Sequence, residues 1–351
     1  MKKMSTLLFV LSALFLSLHT QAKVWRINNT PGVNANFTTV VAALASASVV
    51  NDDTLYVEGS SIAYGGFTLN KRLVIIGTGY FLSGANSNTG LQANQYPATF
   101  ASAAIAFDST GSGSVIMGLD NFFMGIGPNL GSATDNITIT KCNFTGVGSY
   151  YGPTANTKMV GWIINKCHIT GTIGASNIVL QDWEIRNNIC TGGFDMSNTS
   201  NSNNLIRNNV IRGGINLYNA YFANNIINNT TFTVVNVTIK NNLSVGAPAG
   251  FTPYVGTNGN LNNQTDAALF QGLTGNSTDG QWRLKAGSPA IGSGLTIGTV
   301  VSPDCGAYGA TDPYILSGIP NIPTIYSLTV PASIPAGTAT MNITVSTRNN
   351  N

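Results

Sequence analysis

The chain has 351 residues and a net charge of +3, and only 8% of its residues are charged, against about a quarter in an ordinary globular protein. Its 43 Asn and 39 Gly residues must therefore supply much of the polar surface. This composition excludes a nucleic-acid-binding protein, which needs clustered Lys and Arg, and its 43% hydrophobic residues exclude a disordered chain.

Residues 1–22 have the pattern of a cleaved secretory signal peptide. Lys2 and Lys3 precede an apolar stretch from Leu7 to Leu18, and the small residue Ala22 stands where a signal peptidase cuts. Beyond residue 18, no apolar run approaches the roughly 18 residues that a membrane helix requires. We expect a protein that is secreted or held at the cell surface, with no membrane span in the mature chain.

Residues 23–52 are predicted to form an N-terminal cap with a short helix. Phe37, Val40 and Leu44 recur at helical spacing after Asn36, a residue type that favours the N-cap position. The segment from Asp53 to Val57 then alternates polar and apolar residues and is predicted to be the first strand.

Residues 53–317 contain an internal repeat. Its template reads apolar, two polar, Asn or Cys, any residue, apolar. The fourth position is occupied by Asn121, Cys142, Cys167, Asn188, Asn209, Asn225 and Asn242. The segments between these positions are rich in Ile, Val, Thr and Phe, which favours strands. A strand repeat with steps of 16 to 25 residues predicts an all-β parallel β-helix, whose coils stack through backbone hydrogen bonds.

Stacked coils place equivalent residues on top of one another, so the seven template positions should form an internal ladder. Stacked Asn side chains can hydrogen-bond from coil to coil. Cys142 and Cys167 would be either stacked buried thiols or a disulfide between adjacent coils. Four residues further on, a column of Gly and Asn predicts a repeated left-handed bend. Its members are Gly146, Gly171, Gly192, Gly213, Asn229 and Gly246.

Four apolar residues follow ladder positions and are predicted to face outward: Ile189, Val210, Ile226 and Leu243. Contiguous exposed apolar surface usually has a cover, which would be either a loop or the tail. Residues 318–351 contain several prolines and two alternating stretches, which predicts an extended tail with edge strands. Such a tail would either pack along the solenoid or serve for attachment and self-association.

The stretch from Phe37 through Val57 resembles the entrance of secreted bacterial right-handed β-helix proteins of the pectate-lyase-like superfamily. Leu284 to Gly294 and Asp304 to Gly309 resemble the motifs that close such solenoids. The resemblance covers roughly residues 37–317 and implies right-handed winding, in agreement with the usual chirality of parallel crossovers. Members include lyases, hydrolases, epimerases and proteins without demonstrated activity. None of the family's catalytic motifs matches position by position.

The densest group of charges contains Asp182, Glu184 and Arg207. Strand alternation would turn Asp182, Glu184 and Arg186 to one outer face, with Arg207 beside Arg186 in the next coil. In a lyase, Asp182 and Glu184 would hold calcium and Arg207 would act as the base. A hydrolase would instead use the two carboxylates. Alternatively, these residues form a charge ladder in which Glu184 neutralises both arginines.

Other candidate side chains are aromatic or titratable. His168 is the only histidine after the leader and is predicted to lie at the surface. Trp162 and Trp183 are predicted to stack in the core, whereas Tyr218 and Tyr221 are candidates for stacking on sugar rings. The chain has no Cys and His spacing typical of zinc sites, so no cofactor is expected apart from calcium in a lyase.

The sequence favours a secreted, non-catalytic β-helix that acts in carbohydrate contact, adhesion or extracellular matrix, because titratable groups are few. Its partner would be a polysaccharide or a cell-surface glycan. One alternative is a polysaccharide lyase or glycoside hydrolase that acts on an acidic polysaccharide at an outward strand face. Another is a structural filament or surface subunit that associates through its tail.

Overall fold

The computed structural model describes residues 22–126, 133–149, 157–174, 178–197, 203–228 and 231–350. They form an all-β parallel β-solenoid of about nine turns, which confirms the predicted fold class. Two short α-helices accompany it, α1 (Val40–Ala45) and α2 (Asp266–Leu269). No helix among these residues is long and apolar enough to cross a membrane. The predicted signal peptide lies outside the described residues, apart from Ala22.

The strands fall into three parallel sheets and one hairpin. Sheet A contains ten strands: β1 (Val24–Ile27), β2 (Thr54–Val57), β4 (Val74–Ile76), β6 (Val115–Met117), β8 (Thr138–Thr140), β11 (Ile163–Asn165), β15 (Glu184–Arg186), β18 (Asn204–Arg207), β21 (Ala220–Ala223) and β24 (Thr238–Lys240). Sheet B contains fourteen: β3 (Phe67–Leu69), β5 (Thr99–Phe107), β7 (Asp120–Ile126), β9 (Asn143–Ser149), β12 (His168–Ile169), β13 (Ile173–Gly174), β16 (Ile189–Cys190), β17 (Phe194–Met196), β19 (Val210–Ile211), β20 (Ile215–Tyr218), β22 (Ile226–Ile227), β23 (Phe232–Val235), β25 (Leu243–Val245) and β26 (Leu261–Gln264). Sheet C pairs β10 (Thr157–Val160) with β14 (Ile178–Gln181), and the antiparallel hairpin pairs β27 (Thr324–Thr329) with β28 (Thr344–Arg348).

Equivalent residues stack in the core as the repeat predicts. On sheet A the inward column pairs Ile139 with Ile164, Ile164 with Ile185, and Ile185 with Ile206. Each of these four side chains is fully buried. The Trp162 and Trp183 rings are parallel within 2° at 4.9 Å, which confirms that both are core residues.

The ladder of template residues runs from Cys142 to Asn242 and continues to Asn260. The side-chain Oδ1 of each Asn accepts the backbone N–H of the ladder residue one coil earlier, at 2.9 to 3.0 Å. Its Nδ2 donates to the Oδ1 of the next Asn at 3.0 to 3.2 Å and to a backbone carbonyl of the previous coil. Every one of these buried amides is therefore paired on both sides.

At the early end of the predicted ladder, the thiol alternative for the two cysteines is confirmed and the position of Asn121 is not. Cys142 and Cys167 are free buried thiols, with the N–H of Cys142 at 3.5 Å from the sulfur of Cys167. The assignment of Asn121 is wrong, because strand pairing places Leu119 beneath Cys142. Asn121 instead occupies a bulge in β7, where its positive φ of 51° turns its side chain to Ser102.

In each coil, the bend between sheets A and B lies one residue before the ladder position. The residue there has a left-handed backbone, as in Lys141 (φ 53°), Lys166 (φ 55°) and Asn187 (φ 54°). The predicted bend at the glycine column is wrong for Gly171, Gly192 and Gly213, whose φ is not positive. These glycines are required by close approach, since a Cβ on Gly192 would lie 2.0 Å from the carbonyl oxygen of Gly171. Asn229 lies outside the described residues.

The N-terminal cap contains a strand that the sequence analysis missed. The first strand is β1, which pairs in parallel with β2 and buries Trp25 and Ile27. The predicted short helix is present as α1, but its N-cap is Thr39, whose Oγ1 accepts the N–H of Ala42 at 3.1 Å. The side chain of Asn36 accepts the N–H of Arg26 instead.

A second hydrophobic core lies outside sheet B. The four residues predicted to face outward, Ile189, Val210, Ile226 and Leu243, are all buried. They pack against a covering segment that includes Leu269, Phe270, Ala290, Cys305, Ala307 and Tyr314. The expected cover is therefore present, and it is formed by residues 266–314 rather than by the tail.

The chain then runs back along the corner between sheets A and B, and we call residues 293–321 the closing strap. Its contacts proceed from the last coils toward the first. They join Ser293 to Asn241, Leu295 to Asn224, Asp304 to Asn208, Ala307 and Gly309 to Asn187, Asp312 to Lys166, and Ile319 to Lys141. Four ladder residues are each preceded in sequence by another Asn, which forms an Asn–Asn doublet. The first Asn of each doublet binds the closing strap, whereas the second belongs to the internal ladder.

Candidate functional site

The predicted charged site is only partly assembled. Glu184 and Arg186 lie on β15, and Arg207 pairs with Arg186 on the adjacent strand β18. Asp182 lies outside the strand, at a corner with a positive φ of 57°. It accepts hydrogen bonds from Gln181 and Asn203 at 3.2 and 3.3 Å. The prediction that Asp182 and Glu184 share one strand face is wrong, because the corner at Asp182 interrupts the alternation of side chains along the strand.

Glu184 forms ion pairs with both arginines through one carboxylate oxygen. Its Oε1 lies 2.9 Å from the guanidinium of Arg186 and 2.9 Å from that of Arg207. The three side chains keep only 17% to 27% of their exposure. This is the charge ladder that the sequence offered as the alternative to a catalytic centre.

Asp312 of the closing strap completes this charge cluster. It pairs with Lys166 and Arg186, on two successive coils. Burial acts to raise the pKa of Asp312, but the hydrogen bonds from Lys166 and Arg186 outweigh it and hold the pKa below its usual value. We refer to Lys166, Glu184, Arg186, Arg207 and Asp312 as the charge cluster; it contains three cations and two anions.

The charge cluster does not fit a calcium site. Calcium needs six to eight oxygen ligands, most of them free carboxylates, carbonyls or waters. Glu184 is held between two guanidinium groups, and Asp182 is directed to amide donors at the corner. Among the described residues, no group of three or more His, Cys, Asp or Glu side chains is arranged to hold a metal ion. No lyase step through calcium follows from this arrangement.

The contrast between the two carboxylates can be measured. Glu184→Gln should lower the free energy of unfolding by about 1 to 2 kcal/mol, because it leaves two half-buried guanidinium groups side by side. Asp182→Asn is the matched control and should change it by less than about 0.5 kcal/mol, since Asn tolerates the left-handed corner. Urea unfolding of both variants measures the difference, and equal effects would contradict the assigned roles.

His168 is buried, so its predicted surface location is wrong. Its Nδ1 lies 2.9 Å from Oδ1 of Asn143, whose Nδ2 donates to Asp120 at 2.7 Å. The edge of the Phe81 ring covers the imidazole at a centroid distance of 5.1 Å. Burial lowers the pKa of His168 to about 4, against a smaller opposing effect of Asp279. The imidazole is therefore neutral, and no described residue bonds its Nε2.

The structure contains a buried carboxylate, Asp279, that the sequence did not indicate. It is fully buried and accepts hydrogen bonds from Asn88 and Ser277 at 2.8 Å and from the N–H of Ser317 at 2.6 Å. The hydroxyl of Tyr314 lies 3.3 Å away. These partners come from three distant parts of the chain, so Asp279 joins the covering segment to the loop after β4. Sequence spacing gives no signal for such a contact.

The outward face of sheet A around Glu184 is a strand surface whose side chains are partly exposed. We call the outward residues Ile163, Glu184, Arg186, Leu205, Arg207 and Tyr221 the shelf. Register places Glu184 beside Ile163 and Leu205, and Leu205 beside Tyr221. Each of the six is half-buried. Tyr218 lies on sheet B beyond the left-handed corner at Asn219, so Tyr218 and Tyr221 do not share a face.

A cleft of about 660 Å³ lies away from the shelf, between α1 and strands β3 and β5. Val41, Leu44 and Phe67 line it together with several Ala residues, and no ionisable side chain contributes. It has no acid or base for hydrolytic or eliminative chemistry.

No protein-family model matches this chain, and no curated protein matches it. The assignment of the fold as a parallel β-solenoid therefore rests on the structure. The resemblance of the entrance and closing motifs to those of pectate-lyase-like proteins stays a prediction.

Proposed function

We propose that this protein is a secreted, non-catalytic β-solenoid, related to the pectate-lyase-like superfamily, that binds acidic polysaccharide outside the cell in adhesion or matrix. The observation that carries the proposal is the pairing of Glu184 with both Arg186 and Arg207. Both guanidinium groups contact Oε1 of this carboxylate, so its charge is engaged in ion pairs with two binding-type side chains. The densest group of charges on the chain is thus suited to binding rather than to turnover.

The shelf has the features that an acidic sugar polymer requires. The charge cluster, which shares Glu184, Arg186 and Arg207 with the shelf, contains three cations and two anions. Arg presents planar donors that match a carboxylate. Ile163, Leu205 and Tyr221 supply apolar surface for the hydrocarbon faces of sugar rings. Strands about 4.8 Å apart place Arg186 and Arg207 on successive coils, which favours a ligand with successive negative charges.

Self-association through the tail is a second candidate function. The hairpin of β27 and β28 exposes apolar side chains on both faces, including Ile325, Leu328 and Val345. Exposed apolar side chains on a two-stranded hairpin favour pairing with further strands, and residues 313–347 contain no charged residue that would oppose pairing with another copy. Concentration-dependent assembly that disappears when residues 323–351 are removed would support it.

Measurements of binding and of product release distinguish the proposed function from the alternative that the protein is a lyase. The mature chain should bind immobilised acidic polysaccharides, such as polyuronates, and not neutral glucans, without releasing unsaturated sugars. Arg207→Ala and Tyr221→Ala should each weaken binding about tenfold, equal to about 1.4 kcal/mol, whereas Arg283→Ala, outside the shelf, should not. Calcium-dependent release of unsaturated products would establish a lyase. Equal binding by all variants would exclude the shelf as the surface that binds the polysaccharide.

A further inference from the structure

The closing strap contacts the solenoid at Lys141. This residue occupies the left-handed corner before Cys142 and is only 2% exposed. Its Nζ donates to the carbonyl oxygen of Ile319 at 3.0 Å and contacts Oδ1 of the Asn321 side chain. A buried lysine amine thus lies directly against the side-chain amide of a residue 180 positions later.

The surroundings of Lys141 favour its neutral, nucleophilic form. Burial lowers the pKa of Lys141 to about 8, and the charge of Lys166 on the next coil lowers it further, whereas Asp312 opposes both. A desolvated lysine amine beside another cation is the arrangement that activates lysine as a nucleophile. The hydrogen bond to Ile319 fixes the direction of the amine.

We propose that Lys141 and Asn321 join in an intramolecular isopeptide bond. Nζ of Lys141 attacks Cγ of Asn321, a C–N bond forms, and the C–NH₂ bond of the amide breaks. The ammonium group of Lys141 and the Asn321 amide become a secondary amide and one ammonium ion, so atoms and charge balance without an oxidant or a further reactant.

Three features of the site support the reaction. Amine and amide are held in contact by the fold, which replaces a bimolecular encounter by an intramolecular one. Asn321 is exposed, so ammonia can leave to solvent. The charge of Lys166 on the next coil favours the neutral form of the Lys141 amine. The bond would fix the closing strap covalently to the solenoid, independently of whether the shelf binds a glycan.

Mass spectrometry of the full mature chain tests the bond. After incubation at mildly alkaline pH, the intact mass should fall below the sequence mass by one ammonia, and digestion should yield a branched peptide joining positions 141 and 321. Asn321→Ala and Lys141→Met should each abolish the mass loss. Asn350→Ala should retain it, because Asn350 bonds to Ile322 and Thr324 in the same region and contacts no lysine in the described residues.

Asn321→Ala changes an exposed side chain, so it should fold even where Lys141→Met does not. An unchanged intact mass in the natural chain after prolonged alkaline incubation would overturn the proposal. So would a mass loss that persists in Asn321→Ala, since the ammonia would then come from another residue. A higher rate of bond formation as pH rises from about 7 to 9 is expected from the pKa of Lys141.

Discussion

Asn209→Ala should lower the free energy of unfolding by about 4 kcal/mol or more, because it interrupts the ladder in its middle. Oδ1 of Asn209 accepts both the backbone N–H and Nδ2 of Asn188 at 3.0 Å. Its Nδ2 donates to the carbonyl of Ile185 at 2.9 Å and to Asn225 at 3.0 Å. Alanine leaves several of these fully buried groups without partners, at about 1 to 3 kcal/mol each. Urea unfolding followed by circular dichroism measures the loss.

Asn203→Ala is the matched control for the ladder. Asn203 is exposed, and within the described part of the chain its side chain donates one hydrogen bond, to Asp182 at 3.3 Å. The same chemical change should therefore cost less than about 0.5 kcal/mol. Asn209→Asp keeps the shape of the side chain but buries a charge without the amide donors, and it should cost at least as much as alanine. Equal stability of Asn203→Ala and Asn209→Ala would refute the ladder as a source of stability.

The solenoid could be predicted from sequence because its defining contacts repeat. Each coil places the same residue type at the same position, so the buried column at Asn188, Asn209, Asn225 and Asn242 is visible as a spacing. The repeat fails at Asn121, because Leu119 occupies the ladder column in that coil and Asn121 lies in a one-residue bulge that no spacing records.

The role of the first Asn in each doublet could not be predicted. Asn187 contacts Ala307 and Gly309, about 120 residues away, and nothing in the repeat indicates which segment returns along that corner. For the same reason His168 and Ile189 seemed to face solvent: strand alternation identifies two faces of a strand but does not indicate that a later segment covers the outer one. The second hydrophobic core is a property of the covering segment and the solenoid together.

The candidate site illustrates a limit of the alternation rule. Glu184, Arg186 and Arg207 lie where the strand pattern places them, and their pairing follows from opposite charge on adjacent coils. Asp182 precedes the strand by two residues and falls at a corner, so counting by two is no longer valid there. Asp312 could not be included from sequence, because the closing strap supplies it from outside the repeat.

The stability of the protein should fall by about 3 kcal/mol as the pH decreases from about 6.5 to about 4, through the protonation of His168. The folded protein holds His168 neutral with a pKa of about 4, whereas the unfolded chain takes up the proton near 6.5. The unfolded state therefore binds more protons throughout this interval, so stability is complete above it and is lost on acidification. The loss should level off below about pH 4.

The neighbours of His168 set the remaining pH dependence. Asp120 is linked to His168 through Asn143, and burial raises the pKa of its carboxyl group. Protonation of Asp120 therefore stabilises the folded protein on acidification, which opposes the effect of His168. Asp279 favours the charged imidazole only weakly. His168→Asn keeps a polar group beside Asn143 but cannot titrate, so the difference in unfolding free energy between the two proteins should change by about 3 kcal/mol across the interval. Parallel pH profiles of natural chain and variant, measured by urea unfolding, would show that the buried imidazole does not control acid stability.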